Sequence, residues 1–344
     1  VAKVLQKGSF ILRDEVRQFE NKIAAYHGTT HALGVNSGTD AILLALKALD
    51  VGDGDEVITV AHTFIATVSA IVHCGAKPVF TDIDQSMHIN PKLIESKITE
   101  RTKCILPVHM NGKVSDMEKI TEIAKNNRLA IVEDSCQAIG ATINTKKAGT
   151  FGDIGCFSMH PMKILGVAGD GGFLLTNNTK LYNKCRIYRN HGQETKEKIK
   201  FFGLNSRLDN LQASIALAKL PHLDHWITRR IEIANRYTKS LALIKEVVLP
   251  LPRKDNTRDV YSSYVIRVRN RDQLFDWLTN HGIEVMIHWP VPIHLQRDLR
   301  LDHSDLTNTE VTSDSVISLP IFPEMTDNQV DYVLKTIHNF YTNG

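Results

Sequence analysis

One lysine in this chain stands where a charge is costly. Lys163 follows Ser158 by five residues and precedes a turn rich in glycine, with Gly166, Gly169, Gly171 and Gly172. Apolar runs flank it, Gly155-Cys156-Phe157 before and Phe173-Leu174-Leu175 after. Burial favours the neutral amine, the form that attacks a carbonyl. Pro161 bars regular helix around it, and the glycines let backbone approach something bulky. The same residues also read as a common glycine-rich turn with a solvated lysine. Two further stretches bear on that choice. Asp134 ends the apolar run Ala130-Ile131-Val132-Glu133, with Gln137 three residues on. An acid there is either the partner of a buried cation, or a helix cap or surface acid. Asn36-Ser37-Gly38-Thr39-Asp40 leads into the helical run Ala41–Leu49, with Ser37 or Thr39 as cap. Free N–H groups and the positive helix end make such a turn an anion site, or it is an ordinary capped helix.

The elements that must position these groups alternate. Strands are expected at 32–35, 56–60, 78–82, 104–108 and 130–133, with helices at 19–26, 41–49, from His62 to Gly75, 91–98 and 116–126. Short apolar strands alternating with helices predict a mostly parallel sheet covered on both faces. Ligands gather at the carboxyl ends of such strands, where Asp134 sits. Residues 185–189 read as helix, 194–200 as a charged loop, and 210–220 as helix up to the break at Pro221. A long helical pattern from Leu223 to about Ile244, rich in arginine on one face, reads as a connector. Beyond it, strands at 263–269 and 284–287 and helices at 272–280 and 327–340 form a small α+β unit. The division is therefore a large domain at 1–222 and a connector with a small domain at 223–344.

Composition narrows the partners. The 41 basic and 38 acidic residues are interspersed, which argues against a nucleic-acid footprint or a polybasic membrane patch. No apolar run is long enough to span a bilayer, and no signal peptide is visible. Val1 reads as mid-element, so a few further N-terminal residues are expected. The five cysteines lie far apart without a CxxC pair, which points to reduced thiols in the cytoplasm. The fifteen histidines show no ligand spacing, so no metal is expected.

An enclosed lysine, a sheet-end acid, a serine and a Ser-Gly-Thr helix start together suit a flat aldehyde that carries a phosphate and a ring nitrogen. Pyridoxal phosphate has those parts. At this point a family resemblance becomes specific. Asn36-Ser37-Gly38-Thr39-Asp40-Ala41, Gly54-Asp55-Glu56-Val57-Ile58, Gly75-Ala76-Lys77-Pro78-Val79-Phe80, Glu133-Asp134-Ser135-Cys136-Gln137-Ala138, Ser158 to Lys163, Gly169-Asp170-Gly171-Gly172, Gly203-Leu204-Asn205-Ser206-Arg207-Leu208, His288-Trp289-Pro290-Val291-Pro292-Ile293-His294 and Ser318-Leu319-Pro320 occur in that order. Nearly the whole chain thus resembles the DegT/DnrJ/EryC1/StrS family of pyridoxal-phosphate-dependent sugar aminotransferases.

The resemblance implies fold type I, a large domain with a mixed, mostly parallel seven-stranded sheet and a small C-terminal domain. It makes Lys163 the Schiff-base lysine and proton carrier, and Asp134 the holder of the pyridinium proton. Gln137 would reach the ring's 3-hydroxyl and Phe64 would stack on the ring. Gly38, Thr39 and Ser158 match phosphate contacts, and Asn205 matches one donated by the neighbouring subunit of a homodimer. Glutamate or glutamine would give its amino group to the cofactor, which passes it to the ketone of a nucleotide-linked keto-deoxy sugar. A family branch of dehydratases carries His at the lysine position; here that position is Lys163, while His160 precedes the proline. A cyclitol or sugar-phosphate acceptor and a non-catalytic regulator remain as alternatives, and a regulator would be expected to lose Lys163 or Asp134. Three departures concern the expected substrate side: Ile164 in place of the usual Asn, Arg13 in place of a Gly, and a short segment from Arg297 to Ile317.

Overall fold

In a computed structural model, which describes residues 1–252, 255–301 and 305–343, the alternating runs form one seven-stranded sheet. Its strands in chain order are β1 (His31–Val35), β2 (Glu56–Thr59), β3 (Lys77–Phe80), β4 (Thr102–Ile105), β5 (Ala130–Asp134), β6 (Ile154–Ser158) and β7 (Gly172–Thr176). They lie in the spatial order β1-β7-β6-β5-β4-β2-β3. Only β7 runs against its neighbours; the other adjacent pairs are parallel. The central strands are apolar almost throughout because helices cover both faces. Leu44, Ile58, Ile71 and Ile105 fill one face, and Phe19, Phe157, Phe173 and Ala213 the other. Phe157 and Phe173 stack with centroids 4.5 Å apart.

Register decides what meets at the sheet edge. Val35 pairs with Gly172, Gly172 with Ser158, and Cys156 with Asp134. The carboxyl ends of β1, β5 and β6 therefore finish side by side.

The helix Leu223–Leu241 joins two cores. Leu223 and Ile227 pack under the sheet, while Ile233, Ala234, Tyr237 and Leu241 belong to a C-terminal core. Its arginines are employed: Arg229 and Arg236 pair with Asp327, Arg236 also with Asp331, and buried Arg230 donates to the carbonyls of Tyr261 and Ile321. The C-terminal core rests on antiparallel strands Val247–Val248, Tyr264–Val268 and Val316–Leu319 with helices Arg271–Asn280 and Asp327–Asn343.

Some elements differ from expectation. The expected strand at 284–287 reduces to one bridge, Met286 to Ser318. Its alternation is strand-like, but only Met286 exchanges backbone hydrogen bonds with Ser318, and Trp289 at φ 50° ends the extended path two residues beyond the span. The helix expected from His62 begins at Ile65, and that expected at 91–98 is helical only over Pro91–Ile94 before a 3-10 turn. The helix Thr307–Ser315 was not expected; its polar run carries no amphipathic signal. It is capped from another element, with Asp82 accepting N–H bonds from Asn308 at 2.8 Å and Thr309 at 2.9 Å. This helix lies within the short segment 297–317, of which Asp302–Ser304 fall outside the described residues.

Candidate active site

The acid is held before any ligand is considered. Asp134 ends β5 with 6 % of its surface exposed. Its Oδ2 accepts from Thr67 Oγ1 at 2.7 Å and its Oδ1 from the Cys136 N–H at 3.1 Å. The preceding residue does structural work that the sequence reading missed. Glu133 is fully buried, and its oxygens accept N–H bonds from Gly149 at 2.8 Å and from Phe151 and Gly152 at 2.6 Å each. His109 Nε2 lies 2.8 Å from the same carboxylate. Because the Ser115 N–H donates to His109 Nδ1 at 3.1 Å, the ring proton is on Nε2 and goes to Glu133. The His109 N–H in turn donates to the Asp134 carbonyl at 2.9 Å. Two adjacent acids at a buried strand end were the available signal, since one of them must face inward and find donors.

Beside the acid lies a ready anion cradle. Ser37, not Thr39, caps the helix Gly38–Ala48, its Oγ accepting from the Asp40 N–H at 3.1 Å. Gly38 and Thr39 occupy the first turn, where N–H groups have no intrahelical acceptor. A Cβ on Gly38 would stand 2.8 Å from both Cys136 Sγ and Ser158 Cβ, so only glycine lets the helix start sit against β6. Ser158 Oγ accepts from the His160 N–H at 3.2 Å, which leaves its own proton to give. Three donors around a positive helix end fit a phosphate.

Lys163 sits half-buried in a turn closed by its own N–H to the His160 carbonyl at 2.8 Å. Its charge reaches two groups. Burial and then Lys163 lower the pKa of His288. Burial and then Asp134 push the Cys136 thiol well above its usual range, with Lys163 opposing. Lys163 therefore lies within electrostatic reach of Cys136 and His288, and Cys136 is itself tied to Asp134 through its N–H. Gln137 Oε1 accepts the Asn111 N–H at 3.0 Å, which turns its NH2 outward as a donor. These residues fit a flat pyridine aldehyde phosphate, with a cation-holding acid, an amine and an anion cradle in one place.

Phe64 stands at the N-cap position of the helix Ile65–His73 and is 59 % exposed. Together with Thr63, Trp289 and Pro290 it lines a cavity of about 470 Å³. Trp289 lies 5.4 Å edge-on from His62 and 5.2 Å from His288, whose Nδ1 meets Ser318 Oγ at 2.6 Å. The sequence reading took this stretch as a motif without roles. Asn205 stands apart. It is exposed, takes Arg207 Nε at 2.9 Å, and among the described residues has no hydrogen bond to the other site residues. Of the departures, Ile164 packs in the sheet core with Leu165 rather than facing a ligand. Arg13 is the exposed N-cap residue of the helix Asp14–His27.

The fold is that of an aminotransferase. The model of the DegT/DnrJ/EryC1/StrS aminotransferase family matches residues 1–338, and the chain belongs to that family. It is 42 % identical to a pleiotropic regulatory protein of Geobacillus stearothermophilus, over 98 % of this chain and 92 % of the other. It is 40 % identical to a UDP-N-acetyl-3-dehydro-alpha-D-glucosamine 3-aminotransferase of Acidithiobacillus ferrooxidans, over 98 % and 91 %. Among solved structures, S. venezuelae DesV in complex with a ketimine intermediate matches with a TM-score of 0.96 at 37 % identity, over 99 % of this chain and 93 % of that one.

Proposed function

We propose that this protein is a pyridoxal-phosphate-dependent aminotransferase that moves an amino group from glutamate or glutamine to the ketone of a nucleotide-linked keto-deoxy sugar. The observation that carries this reading is the pinned Asp134 carboxylate sharing one sheet edge with the Gly38–Ser158 cradle, with Lys163 in the turn that leaves the Ser158 strand end. When bound, pyridoxal phosphate supplies an aldehyde that relays the amino group and a ring that draws electrons from the reacting carbon. Lys163 binds the cofactor through Nζ and moves the proton at that carbon. Asp134 holds a proton at the ring nitrogen, and the Gln137 NH2 donates to the ring hydroxyl. The N–H groups of Gly38 and Thr39 and the Ser158 hydroxyl hold the phosphate, while Phe64 covers the ring and excludes water. The nucleotide-sugar acceptor is supported by the names of relatives at 38–40 % identity. One relative bears a regulatory name, but this chain keeps Lys163 and Asp134, which regulation alone would not need.

Asn205 completes the phosphate site from the neighbouring subunit of a homodimer. Cytoplasmic placement accords with five free cysteines, since a reducing compartment keeps thiols unpaired. Borohydride reduction of the holoenzyme followed by peptide mapping tests the core of this reading: the label is expected on Lys163, and a label on another lysine overturns it. Screening keto-sugar nucleotides for loss of pyridoxamine-form absorbance then identifies the acceptor.

A further inference from the structure

The two hydroxyls behind Asp134 have no part in the chemistry described so far. Thr67 is buried in the helix Ile65–His73, and Thr63 is buried just ahead of it. Thr67 Oγ1 lies 2.7 Å from Asp134 Oδ2 and 2.9 Å from Thr63 Oγ1. The directions follow from the acceptor. An ionised carboxylate offers no proton, so Thr67 must donate to Asp134, and Thr63 must then donate to Thr67. Thr63 also lines the cavity beside Phe64. A chain of hydroxyls therefore runs from the open side of the site to the acid at its floor, and Phe64 directly follows its outer member in sequence. The Thr67 N–H donates to the Phe64 carbonyl at 3.2 Å, so the same turn that orders the hydroxyls also fixes the aromatic wall.

We infer that Thr67, backed by Thr63, is a positioning residue that holds Asp134 as an oriented carboxylate. Two donors in fixed places, Thr67 Oγ1 on one oxygen and the Cys136 N–H on the other, allow the carboxylate plane a single orientation. Charge-assisted bonds of this kind are short and strong, and they favour the charged acceptor. An Asp134 so held keeps its partner's proton on the partner. Without Thr67 the carboxylate would lose one of its two donors and be free to turn, so a proton shared with a bound cofactor's ring nitrogen would be held less firmly on the ring.

This inference rests on the proposed role of Asp134, and its test separates the two. In holoenzyme, Thr67→Val keeps shape and removes the hydroxyl. It is expected to lower kcat by roughly ten- to a hundred-fold, the range of one hydrogen bond to a charged group, with little change in KM. The affinity of the apoprotein for pyridoxal phosphate should fall, and the pH midpoint of the bound cofactor's absorption band should move. Thr67→Ser should restore each readout to within a few-fold, and Thr63→Val should show the same pattern more weakly. In an Asp134→Asn background, Thr67→Val should add nothing, because it acts through the acid. Wild-type absorption and kcat in Thr67→Val, or an undiminished additive loss on Asp134→Asn, would overturn the inference. If Asp134→Asn itself turns over normally, the proposed function of Asp134 falls instead.

Discussion

The floor and the wall of the site are built by opposite means. The floor consists of main chain in fixed register, Val35 to Gly172 to Ser158 and Cys156 to Asp134, with every carboxylate oxygen at the β5 end satisfied by a donor. The wall is side-chain surface, with Phe64, Trp289, Pro290 and Leu299 around an open cavity. A floor of this kind cannot shift by a fraction of an ångström without stranding a buried polar group, whereas an apolar wall can be recontoured by single substitutions at small cost. Under the proposed function, the floor fixes the chemistry and the choice of acceptor is left to the wall.

The sharpest test of that division is Asp134→Asn. The amide keeps volume and cannot hold the ring proton, so the cofactor stays bound while turnover falls by about a hundred- to ten-thousand-fold. Steady-state kinetics beside a cofactor titration checks it. Turnover near wild type would mean that Asp134 is only a structural acceptor.

Acid probes the buried histidines of both floor and wall. Burial lowers the pKa of His27 and His62 to about 4 and of His88 to about 3, from an ordinary 6.5. Each is neutral when folded, so the unfolded chain binds the proton first. Above pH 6.5 these groups cost nothing. As pH falls from 6.5 toward 4, stability is lost, by an amount on the order of 3 kcal/mol per histidine when fully expressed. Thermal midpoints measured between pH 7.5 and 4.5 should decline across that window. His27→Phe, placed against Phe157 and Phe173, should make the decline shallower. An unchanged slope would show that His27 is protonated or exposed in the folded state.

Glu133→Gln tests the floor without touching chemistry directly. Its amide NH2 must face at least one of the four donors now satisfied by the carboxylate, at a cost of about 3 kcal/mol. A drop of several degrees in thermal midpoint is expected. An unchanged midpoint would mean that the 149–152 loop does not depend on this acid.

The contrast also explains what the sequence disclosed. Period, strand length and turn residues made the sheet legible, and the Ser37 cap and the Asp134 strand end followed from local rules. Ser37 was separable from Thr39 only by geometry, because both have a hydroxyl within reach of the helix start. The Glu133–His109 pair stayed hidden because its members are 24 residues apart in sequence and meet only through register. Asp82 as the cap of the Thr307–Ser315 helix escaped for the same reason, at a separation of more than two hundred residues. The expected strand at 284–287 failed because alternation alone does not say whether a partner strand runs alongside, and only Met286 meets one, at Ser318.

Trp289→Ala addresses the wall and should give the smallest effect. The indole packs edge-on against His62 and His288 and lines the cavity, and no hydrogen bond ties it to Asp134, Lys163 or Ser158. Its removal takes apolar area from whatever lies in the cavity, worth about 1–3 kcal/mol for a buried aromatic contact after partial collapse of the site. Because that contact is the same in ground and transition states, the loss should appear as a KM raised roughly ten-fold with kcat nearly unchanged. The reverse pattern, a fallen kcat at constant KM, would show that Trp289 positions His288 against the reacting centre, and the wall would then belong to the chemistry. Repeating the measurement with keto-sugars carrying different nucleotides locates the contact: a penalty common to all places the sugar against Trp289, and a penalty that tracks the base places the nucleoside there.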